Sequence, residues 1–466
     1  CMEIRETVDA KRFGGMCMQT YAGGKEDCLY LNVYAPESTL SNVNASLPVA
    51  FFMHGGGYLG GSSMLYDGSS FVEYTNGQSI VVTINYRLNV FGFIGSEELR
   101  SQDTVSGSTG NYGIQDQRMA MTWVRDNIAS FGGDPTSVMI FGQSAGAGST
   151  SIHLSAKKSW GLYSHAVLES GSFGQWVMQN MSLAQGGYDR LLKQTNCKDF
   201  ECMLELDTDT LYEASLQVPS LDSVYESVWA PVVDGIEVTT HPWISLSDGA
   251  IADIPIIQGT NRDEGAMFVE LTENCTEQEL VDYWTWGGFS REDIVHLKEL
   301  YIVNTTYPNV DGVDVYWWAG QRSITDYVFS CPARYTSHKL SVLNSNGRKS
   351  DSYLYHFEHI GNHLKYVPHF AELPYVFHWD NPMKAEVDQA MCDVMGSYWG
   401  NFLIDKNPNS GRIGLKSNPQ WPVYDSSIDN YLSIVNAGEI QVLNNLKVEE
   451  CEYLNNKIDS DINDDF

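Results

Sequence analysis

The chain has 466 residues, 43% of them hydrophobic, and 59 acidic against 28 basic side chains give it a formal net charge of −31. That surplus repels phosphate backbones and anionic membrane surfaces, which excludes nucleic acid as a partner and makes solubility the simplest use of the charge. No apolar run reaches the length needed to cross a bilayer.

The chain opens on Cys1-Met2-Glu3, with neither a start methionine nor a basic-then-apolar leader, and reads as a processed or truncated product. Glu26 to Tyr34 alternates polar and apolar residues in its second half, as a strand does. Pro48 to Met53 is a second strand that runs into His54-Gly55-Gly56-Gly57-Tyr58. Ser79 to Tyr86 is a continuous β-branched run of the kind found in parallel strands buried on both faces. A helix fits Gly113 to Ser130, with Ile114, Met119, Met121, Trp123, Val124 and Ile128 as its apolar stripe and Gly132-Gly133-Asp134-Pro135 as its stop. A strand beginning at Ser137 leads into Gly142-Gln143-Ser144-Ala145-Gly146 and a helix, and Ala166 to Leu168 is the next strand. Ile254 to Gln258 and Tyr353 to Phe357 read as later strands of one mostly parallel sheet covered by helices on both sides, an α/β fold. Asn180 to Asp253 and Met267 to Lys349 resemble insertions over one end of that sheet, and the acidic tail Asp459 to Phe466 reads as frayed. The whole, residues 1–466, is expected to form a single domain.

In a G-x-S-x-G turn the serine backbone is strained, the flanking glycines let strand and helix pass closely, and the hydroxyl is pushed out beside a helix N-terminus. A serine hydroxyl needs a base to take its proton and a third group to hold that base. Asn261-Arg262-Asp263-Glu264-Gly265 puts carboxylates at the C-terminal end of a strand, and His369 follows another strand by a short loop. Most of the eleven histidines lie after Ser144, so spacing alone does not choose the base. Gly55-Gly56-Gly57 suits backbone donation to an oxyanion, because no Cβ blocks approach.

These stretches, together with EDCLYLNVY, NYRLNVFGF, NYGIQDQRMAMTWVRDNIASFGGDP, ESGS, GTNRDEG and HFAELPYVF, resemble the type-B carboxylesterases, the α/β-hydrolase family of cholinesterases and fungal lipases, in family order over nearly the whole chain. The resemblance implies Ser144 as nucleophile, Glu264 as acid in preference to Asp263, and His369 as base. It implies an oxyanion hole from Gly56, Gly57 and the N–H of Ala145, with His54 orienting the glycine loop. Trp176, Met267 and Phe268 are candidates for the substrate pocket. No cofactor is implied, and His359 and His363, though spaced like a metal pair, flank a glycine in a loop, so no metal is expected.

The same resemblance implies disulfides Cys1–Cys28, Cys197–Cys202 and Cys331–Cys451, with Cys17 as a competitor of Cys1 for Cys28, Cys275 left over and Cys392 a buried thiol. Nine cysteines, with sequons at Asn44, Asn180, Asn274 and Asn304, favour an oxidising secretory route and a glycoprotein. The family's leading hairpin is missing, so the glutamate matched by Glu26 lacks its arginine and is expected to be buried without a partner. Gln143 stands where cholinesterases have glutamate, while Met18 and Met267 stand where they have aromatic residues. A quaternary ammonium therefore has little to favour it, and a small neutral ester is the expected substrate. Two further readings remain: an adhesion module of the same fold, as in neuroligins, which the intact triad and glycine loop disfavour, and a lipase, for which the charged segment Met2 to Asp27 makes a poor lid. The sequence does not indicate the oligomeric state.

Overall fold

The computed structural model describes residues 10–19, 23–42, 44–220, 228–303, 305–361, 364–379, 388–414 and 417–466. Nine strands form the main sheet: β1 (Leu31–Tyr34), β2 (Leu47–Met53), β3 (Ile80–Ile84), β4 (Gly133–Gln143), β5 (His165–Glu169), β6 (Ile256–Asn261), β7 (Ser352–Phe357), β8 (Asn430–Asn436) and β9 (Glu439–Asn444). Their order is β1-β3-β2-β4-β5-β6-β7-β8-β9. The seven strands from β3 to β8 in that order run parallel, and only the edge strands β1 and β9 are antiparallel to their neighbours.

The expected parallel centre follows from strands that are apolar on both faces. Every residue of β3, β5, β6 and β7 is buried. In β2 the period of two is explicit: Val49, Phe51 and Met53 pack with Met121, Val124 and Leu154, whereas Ala50 and Phe52 pack with Met395 and Trp399. The first face is covered by α1 (Tyr112–Asn127), α2 (Ala145–Ser155) and α3 (Cys331–Ser345), the second by α4 (Gln389–Asp405). α3 lies in the stretch expected to be an insertion, yet its Leu340 belongs to the core beneath the sheet.

The expected stripe on α1 needs one correction. Ile114, Met121 and Val124 are buried at helical spacing, but Met119 falls off that face and is 68% exposed. The helix ends as its stop signal demands, through a 3₁₀ turn and Gly132 in the left-handed region at φ 83°.

The β8–β9 hairpin was not among the expected elements: β9 is exposed along most of its length, and the alternation of Ile440 and Val442 with polar residues is too short to mark it. The acidic tail is not frayed through 465. It belongs to α5 (Val448–Asp465), where Ile458 and Ile462 are buried, Trp243 Nε1 donates to Asp459 at 2.6 Å and the Tyr327 hydroxyl donates to Asp461 at 2.7 Å.

Cys197–Cys202 and Cys331–Cys451 are bonded, and Cys275 and Cys392 are buried thiols. The third pairing differs from expectation: Cys28 is bonded to Cys17, 4.8 Å away between Cα atoms, so it is not available to Cys1, which lies outside the described residues. The chain between them folds back on itself, with Cys17 bridging to Lys25 and Gln19 to Gly23. Asn85 Nδ2 donates to the carbonyls of Gly15 and Cys28, both at 3.0 Å, and fixes the two ends. Met18 sits inside this loop, its carbonyl accepting from Asn89 Nδ2 at 2.6 Å. Glu26 is not buried: it is exposed and accepts from the Thr208 hydroxyl, so the expected desolvated carboxylate does not exist.

Candidate active site

Ser144 stands between β4 and α2 with φ 57° and ψ −126°, a conformation that costs a non-glycine residue about 1–3 kcal/mol. Its N–H donates to the Glu169 carbonyl at 2.9 Å and its carbonyl accepts from Gly148 N at 2.9 Å, which hold it there. The two flanking glycines are required by contact. A Cβ on Gly146 would lie 2.0 Å from the Met53 carbonyl oxygen, and one on Gly142 would lie 2.4 Å from the Gly146 carbonyl carbon. Strand and helix therefore touch backbone to backbone, and the serine is the residue left to protrude.

The glycine loop leaves the end of β2 beside this elbow. A Cβ on Gly55 would lie 2.9 Å from Ser144 Cβ. Gly56 and Gly57 both have positive φ, 111° and 61°, which sets their backbone in a path other residues avoid. His54 anchors the turn: Nδ1 donates to the Gly55 carbonyl at 2.8 Å, and its ring stacks on Tyr86 at 4.4 Å. The Tyr86 hydroxyl donates to the His54 carbonyl at 2.7 Å. Burial pushes the His54 imidazole down to about 4, so it is a neutral strut at physiological pH.

Glu264 opens a short 3₁₀ turn (Glu264–Met267) after β6, and His369 lies in the loop after β7. Glu264 Oε1 accepts from the backbone N–H of Asn261 at 2.6 Å, which leaves Oε2 to take the His369 Nδ1 proton at 2.6 Å. With that proton on Nδ1, the other ring nitrogen presents a lone pair, and Gln143 Nε2 donates to it at 3.0 Å. His369 thus faces the residue immediately before Ser144. Asp263 is turned elsewhere: it accepts from Arg322 Nη2 at 2.9 Å, Arg262 Nε at 3.1 Å, Gln321 Nε2 at 3.2 Å and Val367 N at 2.9 Å.

Aromatic rings pack against His369. Phe268 meets the His369 ring edge-on at 4.9 Å, and Phe329 lies 4.9 Å away on another side. Trp176 is 6.3 Å from Phe329, its indole N–H donating to the Val328 carbonyl at 3.1 Å. Met267 is 50% exposed.

Behind the histidine lies a second carboxylate. Glu372 is fully buried, accepts from Asn261 Nδ2 at 2.5 Å and from the Ser170 hydroxyl at 3.4 Å, and is pushed up to about 7 by burial and then by the charge of Glu264. Glu169, at the end of β5, is buried too and raised well above the usual carboxylate range, mainly by burial and next by Glu372. Trp399 Nε1 donates to it at 2.7 Å.

Ser144, Glu264, His369, the glycine loop, Trp176 and Phe268 are therefore gathered at the C-terminal ends of β2, β4, β5, β6 and β7. Sequence reasoning did not find Asn261, Glu372, Phe329 or the contact of Gln143 with the base. Glu372 had one signal, its place three residues after His369. Phe329 had none, since it lies in a π-helical stretch (Thr325–Ser330) that breaks the helical period.

The sequence model of the carboxylesterase family matches residues 3–454. A mouse cholinesterase is 30% identical over 472 residues, covering 92% of this chain and 72% of the relative, and the crystal protein of Dictyostelium discoideum is 29% identical over 452 residues, covering 89% and 74%. Among solved structures, the Geobacillus stearothermophilus carboxylesterase EST55 superposes with a TM-score of 0.74 at 29% identity over 94% of this chain and 88% of that one. Aspergillus niger EstA shares the fold with a TM-score of 0.80 at 24% identity, over 95% and 86%. The elbow, the glycine loop and a family match over nearly the whole length lead to one conclusion: the chain belongs to the carboxylesterase family and is a serine carboxylic-ester hydrolase of the α/β-hydrolase fold.

Proposed function

We propose that the chain works as one catalytic unit that hydrolyses neutral esters through an acyl-enzyme, with Ser144 as nucleophile, His369 as base and Glu264 as acid. The observation that carries this reading is the 2.6 Å contact between His369 Nδ1 and Glu264, which leaves the second imidazole nitrogen basic and on the side of the elbow. Ser144 Oγ attacks the ester carbonyl carbon while its proton passes to His369 Nε2, taking the lone pair that the Gln143 amide otherwise holds. The backbone N–H groups of Gly56, Gly57 and Ala145 receive the oxyanion. The alcohol leaves with the proton from His369, and water repeats the sequence on the acyl group. Phe268, Phe329 and Trp176 give the acyl side an aromatic wall, and a neutral amide at position 143 offers no charge to a cationic alcohol.

The three disulfides among the described residues support passage through an oxidising compartment, and we read the chain as a secreted glycoprotein. Asn44 and Asn274 are exposed and suited to carry glycans. Asn180 is less so: its side-chain oxygen caps a helix by accepting from Leu183 N at 2.9 Å, and its Nδ2 donates to the Asp465 carbonyl at 3.0 Å. Asn304 lies outside the described residues.

The test is hydrolysis of p-nitrophenyl esters of increasing acyl length by wild type and Ser144→Ala, with organophosphate labelling read by mass. Activity and label that both vanish with Ser144 are expected, and a maximum at short or medium chains marks an esterase rather than a lipase. Folded wild type with neither activity nor label overturns the reading in favour of a binding module.

A further inference from the structure

Asn261 is the last residue of β6 and is fully buried. β5 ends at Glu169, paired with Gly259, so the N–H of Asn261 projects past the end of the neighbouring strand and finds Glu264 Oε1 at 2.6 Å. Its side chain reaches the other way. Nδ2 donates both to the Pro368 carbonyl at 3.1 Å and to Glu372 Oε2 at 2.5 Å, the residue just before His369 and the one three residues after it. One residue thus holds the carboxylate from one loop and both flanks of the imidazole from another. Its remaining polar atom, Oδ1, is buried without a partner among the described residues. A buried amide with one orphaned atom is an expensive choice for a spacer, since an apolar side chain of similar size would fill the space without that cost.

We infer that Asn261 is a positioning residue of the hydrolytic site: its backbone N–H aims Glu264 at His369, and its side-chain N–H groups fix the loop that presents His369 to the elbow. This inference rests on the proposed roles of Glu264 and His369. Asn261 touches no substrate. It acts by keeping the acid and base in register, and a misplacement of about 1 Å in such a pair costs about 100-fold in rate.

The donor role makes a distinctive demand. Asn261→Asp keeps the shape and, when protonated, keeps a donor; ionised, it has none and adds a negative charge. The introduced carboxyl would face Glu372 and the Pro368 carbonyl, with Glu264, His369, Glu169 and Tyr355 around Glu372 and the Asp263–Arg262–Arg322 cluster on the adjoining turn. Burial and those carboxylates favour its protonated form over that of an exposed aspartate.

The experiment measures kcat and KM on a short-chain p-nitrophenyl ester from pH 6 to pH 9 for wild type, Asn261→Asp, Asn261→Ala and Ser144→Ala, each scaled to the folded fraction from circular dichroism. Asn261→Ala is expected to lose about 10- to 100-fold in kcat with KM within about threefold. The ratio of Asn261→Asp to wild type is expected to fall as pH rises. A ratio flat across pH, or Asn261→Ala within twofold of wild type, overturns the inference while a dead Ser144→Ala leaves the triad reading standing. Ser144→Ala as active as wild type overturns both.

Discussion

At the scale of single residues the site is built from close approach and strain. Ser144 keeps its positive φ because Gly142 and Gly146 allow the backbones of β4, α2 and β2 to touch. Gly146→Ala should therefore open the elbow, destabilising the fold by about 1–3 kcal/mol through overpacking and lowering kcat by about 100-fold through misplacement of the serine. Urea unfolding and ester turnover check this together, and a variant with wild-type turnover would show that the contact is not needed. The same residues explain what was legible in the sequence. Ser144, the glycine loop, Glu264 and His369, proposed as the reacting groups, each sit in a short motif that the sequence displays on its own. Asn261, Glu372 and Phe329 matter only because separate loops meet, and no local pattern encodes a meeting. The Cys1–Cys28 expectation failed for a related reason: which cysteine reaches Cys28 is decided by a reversal of the chain, anchored from afar by Asn85.

At the scale of elements, the parallel strands were readable because burial on both faces leaves continuous apolar runs, whereas the mostly exposed β9 offers only the short alternation of Ile440 and Val442 with polar residues. α5 is the element most dependent on tertiary bonds. It is fastened by Cys331–Cys451, by the Lys447 ammonium 3.3 Å from the buried Asp326, and by Tyr327 and Trp243. Cys331 caps the π-helical stretch that carries Phe329, so this clasp also steadies the ring packed against His369. The bridge spans 120 residues and Cys197–Cys202 only 5. Loop-closure entropy then predicts that replacing the Cys331 and Cys451 pair by serine costs about 4–5 kcal/mol, against about 2 kcal/mol for the short bridge. Denaturant midpoints of the two double variants test the order, and equal losses would show that native contacts rather than the unfolded chain set the difference.

For the molecule as a whole, the buried carboxylates behind the site tie stability to pH. Glu372 is raised from an ordinary 4.5 to about 7 by burial and by Glu264. Below 4.5 the folded and unfolded forms both hold the proton. Between 4.5 and about 7 only the folded form keeps it, so stability is lost as pH rises through that window and levels off above it. Glu169 acts in the same direction. Glu372→Gln should therefore gain in melting temperature relative to wild type on going from pH 5 to pH 8, and parallel melting curves across that range would remove Glu372 from the account. The sheet carries a broader consequence. The glycine loop, Ser144, Glu264 and His369, the groups of the proposed site, all hang from the C-terminal ends of parallel strands. If those groups are the catalytic ones, sequence drift is expected to be graded along the strand axis: loops at the N-terminal edge should tolerate changes of length and composition, those at the other edge should vary only between the fixed points of the chemistry, and a library aimed at new substrates should be confined to the latter.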